Sequence, residues 1–150
     1  MAPLRKTQVD SLLDELGPHV NTDQGKVSLG VQAYTKLFTA YPQHINLFSR
    51  LQGLDITNVV QSEGIKYYGR TLIDDIVKMV KAAADDAQFK KAVEENGENH
   101  VTRNVTKDQF MSGESIFIEF FKSVLNKPEN KDAIEKLLKI IFSTASNYLP

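Results

Sequence analysis

Two tyrosines and one histidine are the residues of this chain best placed to do chemistry. Tyr34 and Tyr68 each fall on the apolar stripe of a different predicted helix, and His100 lies near the end of a third. A buried phenol needs a hydrogen-bond partner for its hydroxyl. Two phenols aimed inward therefore suit a polar guest held in an apolar cavity, and a histidine across that cavity suits a metal. Read from these residues alone, other roles stay open. A tyrosine on an apolar stripe also serves as a core residue whose hydroxyl reaches the surface, and a lone histidine near a helix end also serves as a surface residue.

Composition narrows what such a site can be. At 150 residues the chain fits a single domain over 1–150, and a domain of that size buries roughly 68–70% of its unfolded surface. With no cysteine, disulfides, thiolate zinc sites and iron–sulfur ligation are excluded, and a reducing, cytoplasmic location is expected. The opening residues Met1 to Asp10 carry basic side chains without a following apolar run, so no signal peptide is expected, and no stretch approaches membrane-spanning length. A formal net charge of −1 offers no basic field for nucleic acid or anionic lipid. The expected partner is small, and mixed surface charge without an apolar patch makes a monomer the expectation.

The elements that must position the three residues are helical, because apolar residues recur at steps of three and four almost throughout. Thr7 with Asp10 resembles a capping box ahead of Val9, Leu12, Leu13 and Leu16, and Gly17-Pro18 is expected to stop that helix. A second helix, from about Asp23 to Ala40, carries Val27, Val31, Tyr34, Leu37 and Phe38 on its inner side. Pro42 suits the first turn of a short helix, and Phe48 and Leu51 close the corner. From about Asn58 a long helix presents Ile65, Tyr68, Leu72, Ile76 and Met79 on one face. Between Asp85 and Val101 a short, imperfect helix is expected, since Asn96, Gly97 and Asn99 interrupt its pattern. Thr106 with Gln109 offers a capping box ahead of Phe110, Phe117, Phe120, Phe121 and Val124, and Pro128 opens a last helix through Ile134, Leu137, Leu138, Ile141 and Ala145. About seven helices, the last two long, would pack as one all-α domain.

Tyr34, Pro42 and Phe48 stand at the relative spacings at which the globin family has a distal residue of its second helix, a proline and a heme-packing phenylalanine. The run Ser62-Glu63-Gly64-Ile65-Lys66-Tyr67-Tyr68-Gly69 resembles the start of the globin distal helix, with Tyr68 where most vertebrate members have the distal histidine. Leu72 follows at the other distal lining position, and His100 in His-Val-Thr-Arg matches the proximal iron ligand. The resemblance runs from about residue 7 to residue 148. With its two distal tyrosines and stretches such as Gln-Ser-Glu-Gly-Ile-Lys, the chain looks most like the globins of trematode flatworms.

The resemblance implies a globin fold of seven to eight helices around heme b, iron protoporphyrin IX. Heme is a flat apolar disc with two carboxylates, so it needs a dry slot, one imidazole on iron and cations at the mouth. His100 would supply the imidazole, its other ring nitrogen donating to the Asn96 carbonyl or the Asn99 side chain. Phe48 and Leu72 would pack on the ring by apolar contact. Val105 and Phe110 join the residues implied to line it, and Arg50 and Arg103 are candidates for the propionates, although either also fits a solvated charge. Gly30 and Gly69 match positions where small residues let two globin helices cross closely.

The implied function is reversible binding of dioxygen and other diatomic ligands, for storage, transport or scavenging. Dioxygen on ferrous heme gains partial negative charge, which carbon monoxide gains less. At about 1.5–3 kcal/mol per hydrogen bond to a charged acceptor, two tyrosine donors would slow release by several hundredfold or more. The enzymatic alternative is nitric oxide dioxygenase or pseudo-peroxidase chemistry. A peroxidase wants a positioned base and a charged group, whereas this distal side offers tyrosines, and sustained dioxygenase turnover needs an outside electron source. The chain is therefore expected to be a binder, not an enzyme.

Three further expectations concern register. Tyr67 points about 100° around the helix from Tyr68, toward solvent or the heme edge. His19 and His44 read as surface residues. Asn96 is polar where many globins place an apolar residue, and three more residues separate Tyr68 from His100 than in typical myoglobins, which should lengthen the connection between their helices.

Overall fold

Every element that forms is helical, and the apolar spacing explains why. The structure, a computed structural model, describes residues Met1–Pro150. Eight α-helices span Lys6–Val20 (α1), Asp23–Ala40 (α2), Ile56–Val59 (α3), Glu63–Ala82 (α4), Asp86–Thr102 (α5), Lys107–Met111 (α6), Glu114–Val124 (α7) and Pro128–Ser146 (α8), and two 3₁₀ turns cover Pro42–Leu47 and Ser49–Leu51. There is no β-strand. The chain divides into two compact units, Pro18–Asp74 and Met1–Gly17 with Asp75–Pro150.

Within Pro18–Asp74, Thr22 caps α2 by accepting from the Gly25 N–H at 3.0 Å, and Asp55 and Ser62 do the same for α3 and α4 at 2.8 and 3.2 Å. Each side-chain oxygen satisfies an N–H that the first helical turn leaves without a partner. The inner side of α2 is Leu29, Gly30, Ala33, Leu37 and Phe38. Val27, Val31 and Tyr34, expected on that inner side with Leu37 and Phe38, are half-buried. The apolar face is thus rotated toward the glycine. Gly30 and Gly69 meet so closely that a Cβ on Gly30 would stand 2.0 Å from the Gly69 carbonyl oxygen. Only hydrogen fits at that crossing, which is the close approach expected of the pair.

The other unit is built on α7 and α8. Phe117, Ile118, Phe120 and Phe121 are buried from α7 and Ile134, Leu137, Leu138, Ile141 and Phe142 from α8. Glu15 of α1 reaches the start of α8, where its carboxylate accepts from the backbone N–H groups of Asn126 and Lys127 and, at 2.9 Å, from Asn130 Nδ2. That is a side-chain cap for α8 delivered from a distant part of the chain, favoured by the positive end of the helix dipole. Gly97 brings α5 against α8: an added Cβ there would lie 2.8 Å from Tyr148 Cδ2 and 3.1 Å from the Ala145 carbonyl oxygen.

Several boundaries differ from the sequence reading, each for a local reason. The capping bond of α1 is Arg5 N–H to Gln8 Oε1 at 2.8 Å, so Thr7 lies inside the first turn. The helix continues through Gly17 and Pro18 to Val20. Pro18 is exposed, in the last turn, so the carbonyl it leaves without a donor can face water. The long helix starts at Glu63 because Ser62 caps it, and the residues near Asn58 form the separate α3. Where one helix was expected from Thr106 to Val124, Ser112 and Gly113 separate α6 from α7, while the Thr106–Gln109 capping box forms as expected. The helix ending at Thr102 is neither short nor interrupted, since α5 runs unbroken for 17 residues. Its glycine is retained by packing against α8, not by a turn. The extra residues before His100 therefore lie in helix, and the α4–α5 connection is only Ala83–Asp85.

Candidate functional site

In the Pro18–Asp74 unit, the Gly30–Gly69 crossing sets the positions of both tyrosines, because Tyr34 stands one turn beyond Gly30 and Tyr68 immediately precedes Gly69. Between their rings lies Phe48. Its centroid is 5.3 Å from Tyr34, 5.4 Å from Phe38 and 4.9 Å from Tyr68, at interplanar angles of 80°, 82° and 73°. Tyr34 stacks on Phe38 at 5.6 Å and 18°. Three edge-to-face contacts centred on one ring each add about 0.5–1.5 kcal/mol beyond area burial. They fix Phe48 as the hub that spaces the tyrosines.

The Tyr68 hydroxyl has a defined environment. It accepts from the Arg50 backbone N–H at 3.2 Å and lies 3.3 Å from Ser49 Oγ, and the residue is only 6% exposed. Tyr34, Phe48 and Leu72 are half-buried. Tyr67 is exposed, as its helical angle predicts, and the Arg50 guanidinium carbon sits 3.7 Å above the centre of its ring. Arg50 thus engages two successive tyrosines, one through its side chain and one through its backbone.

The other unit holds His100 in the last turn of α5. Its Nδ1 is 2.7 Å from the Asn96 carbonyl oxygen. A carbonyl can only accept, so Nδ1 carries the proton and the lone pair of the neutral ring resides on Nε2. Burial pushes its pKa below the ordinary histidine value, with the Asn96 bond acting the other way. Beyond it the chain reverses at Asn104, whose φ of 61° is one that asparagine tolerates. The N–H groups of Arg103 and Val105 both donate to the His100 carbonyl, at 3.1 and 3.2 Å. Val105 is buried and Arg103 exposed. Phe110 meets the imidazole edge-on at 4.8 Å and 68°, and is itself backed by Phe142 at 4.8 Å.

Two residues escaped the sequence reading, and a third was misplaced by it. Asp75 is a half-buried carboxylate on α4. Burial raises its pKa, while His100, the cations Lys78 and Arg103 and the Asn96 side chain oppose the rise. Its spacing was the available signal: Tyr68, Leu72 and Asp75 step by four and three along one helix face. Ser49, beside Tyr68, gave no signal at all. His44, expected at the surface, is 8% exposed and stacked on Tyr41 at 5.0 Å and 14°, and burial lowers its pKa. The 3₁₀ turn folds it inward. His19 is exposed, as expected.

The surroundings of His100 fit heme as a guest. No group of three or more His, Cys, Asp or Glu side chains converges in the structure, so a cage made of protein ligands alone is not what His100 belongs to. One imidazole with its tautomer set by a backbone carbonyl suits an iron whose remaining ligands would come with the cofactor.

Comparison with known proteins agrees in family and fold. The model of the family described as Globin matches residues 31–145. The chain is similar to a globin of Isoparorchis hypselobagri, 43% identical over 97% of this chain and 99% of that one, and to a globin of Dicrocoelium dendriticum, 44% identical over 97% and 95%. Both relatives are trematode globins. Among solved structures, ferric Aplysia limacina myoglobin superposes with a TM-score of 0.80 at 20% identity, covering 97% of this chain and 98% of that one, a likeness of fold.

Proposed function

The chain belongs to the globin family, and from that premise we propose that it is a heme protein that binds dioxygen reversibly and with high affinity. Heme, when bound, would supply an iron able to take one diatomic ligand. His100 is assigned as the histidine that would hold that iron. The observation that carries the assignment is the Nδ1–Asn96 bond, which reserves Nε2 for a metal. Phe48, Leu72, Val105 and Phe110 are assigned to the apolar surfaces against the ring, and Arg50 and Arg103 to its carboxylates.

Tyr34 and Tyr68 are assigned as donors to the guest. Both come from helices locked at a glycine crossing and both touch the same phenylalanine, so their hydroxyls are carried on a rigid frame. A rigid donor loses little entropy when it bonds a ligand. At about 1.5–3 kcal/mol per donor, loss of either hydroxyl should speed oxygen release by roughly ten- to a hundredfold. Stopped-flow measurement of oxygen dissociation in Tyr34→Phe and Tyr68→Phe tests this. Parental rates in both variants would sink the donor reading while leaving heme binding untouched.

The role assigned is storage, transport or scavenging by a monomer in the cytoplasm, without turnover. No helix is long and apolar enough to cross a membrane.

A further inference from the structure

The corner after Phe48 holds Tyr68 by more than packing. A phenol oxygen has one proton to give and two lone pairs to receive with. The Arg50 N–H, at 3.2 Å, is a donor only and so occupies one lone pair. Ser49 Oγ, 3.3 Å away, can occupy the other by turning its own proton toward the phenol. With both lone pairs filled, the phenol proton has a single use left, which is donation to a third group. A hydroxyl that accepts two hydrogen bonds is also the better donor, because each bond polarises the next.

We propose that Ser49 is a positioning residue which, together with the Arg50 N–H, makes Tyr68 a committed hydrogen-bond donor to a diatomic guest. The inference rests on the donor reading above. Ser49 is exposed and Tyr68 buried, which suits this division of labour. The serine proton can turn to water or to the phenol without movement of any heavy atom, while the phenol ring is held by Phe48 at 4.9 Å. The corner is held in turn on its outer side, where Arg50 lies 3.7 Å over Tyr67. Two adjacent tyrosines of one helix thus grip the two ends of the same residue, and Ser49 sits beside that grip.

The test uses heme-loaded Ser49→Ala, Ser49→Thr, Tyr68→Phe and the Ser49→Ala/Tyr68→Phe double variant. Oxygen dissociation is measured in each, along with the C–O stretching frequency of the carbon monoxide complex, which falls when a donor bonds the ligand. Expected for Ser49→Ala is release about two- to tenfold faster, the range of one neutral hydrogen bond, with the stretch moved upward toward the Tyr68→Phe value. Threonine restores both, and Ser49→Ala adds nothing once Tyr68 is phenylalanine. A serine that merely fastened the corner would lower the unfolding temperature without moving the stretch. Parental rate and stretch in Ser49→Ala beside altered values in Tyr68→Phe overturn the proposal and leave the donor reading standing. Slower release in Ser49→Ala, the sign of a competitor for the phenol proton, overturns it too. Parental values in Tyr68→Phe itself remove the donor role of Tyr68, and the role of Ser49 with it.

Discussion

Gly30→Ala should be among the costliest single-methyl additions this chain can receive. The Cβ would stand 2.0 Å from the Gly69 carbonyl oxygen, 2.2 Å from its carbonyl carbon and 2.4 Å from its Cα. Ordinary contact begins at 3.4 Å, so α2 and α4 would have to part by about 1.4 Å. All three struck atoms are backbone, and no rotamer relieves them. Overpacking of this kind costs about 1–3 kcal/mol and occasionally more. With rigid atoms on both sides we place the cost near 3, and the better helix propensity of alanine returns about 1. A net loss of about 2 kcal/mol or more is expected. Gly69→Ala is the internal comparison: its Cβ would meet Val31 N at 2.8 Å, a shortfall of about 0.6 Å. Val31 N and, at 2.9 Å, Gly30 C are backbone too, so the strain there is about 1–2 kcal/mol, only partly offset by propensity. Urea unfolding at equal heme occupancy should therefore place Gly69→Ala below the parent and Gly30→Ala lower still. Oxygen release should change most in Gly30→Ala, because Tyr34 rides one turn beyond the displaced residue. A Gly30→Ala stability within about 0.5 kcal/mol of the parent would refute the rigid-crossing argument.

Two other perturbations probe separate parts of the molecule. Burial, the largest single influence on Glu15, acts to raise its pKa, but the bonds from Asn130, Asn126 and Lys127 outweigh it and hold the value below the usual 4.5. A depressed pKa contributes stability above the unfolded value that is lost as pH falls through the folded one. Glu15→Gln should therefore cost about 1 kcal/mol near neutrality, a modest figure because the site is only half-buried, and the gap to the parent should close as pH drops below 4.5. A gap that is constant from neutral to strongly acid solution would show that charge is not what Glu15 contributes. His100→Gly should lose the Soret absorption of bound heme and regain it with added imidazole. Parental absorption without imidazole would remove His100 as the ligand.

How much of the fold the sequence discloses depends on whether the deciding contact is local. The bounds of α2 are legible because Asp23 and the apolar spacing that mark them are local, and the Thr106–Gln109 box is legible for the same reason. α5 is not. Asn96, Gly97 and Asn99 are poor helix formers locally, and what keeps them helical is Gly97 lying against Ala145 and Tyr148, a contact nearly fifty residues away in sequence. The α1 boundary fails for a milder reason, since Pro18 is forbidden in a helix interior but tolerable in an exposed last turn. His44 could not be placed because the 3₁₀ turn that buries it rotates residues by 120° each, where the α-helical wheel assumes 100°.

The candidate site divides along the same line. Tyr34, Phe48, Tyr68 and His100 stand out as residue types at characteristic separations, so a linear reading finds them. Ser49 acts through an exposed hydroxyl on a corner, where every residue type is common, and no separation marks it. Asp75 is the intermediate case, and it accounts for the odd polarity of Asn96. Asn96 serves an aspartate and a histidine with different groups: its side chain works against the burial-driven rise in the Asp75 pKa, and its backbone carbonyl takes the imidazole proton. An apolar residue could perform only the second task. Each of the two polar residues looks anomalous alone. Paired, Asp75 explains why Asn96 is polar, and Asn96 explains how an aspartate is tolerated on the same helix face as Tyr68 and Leu72.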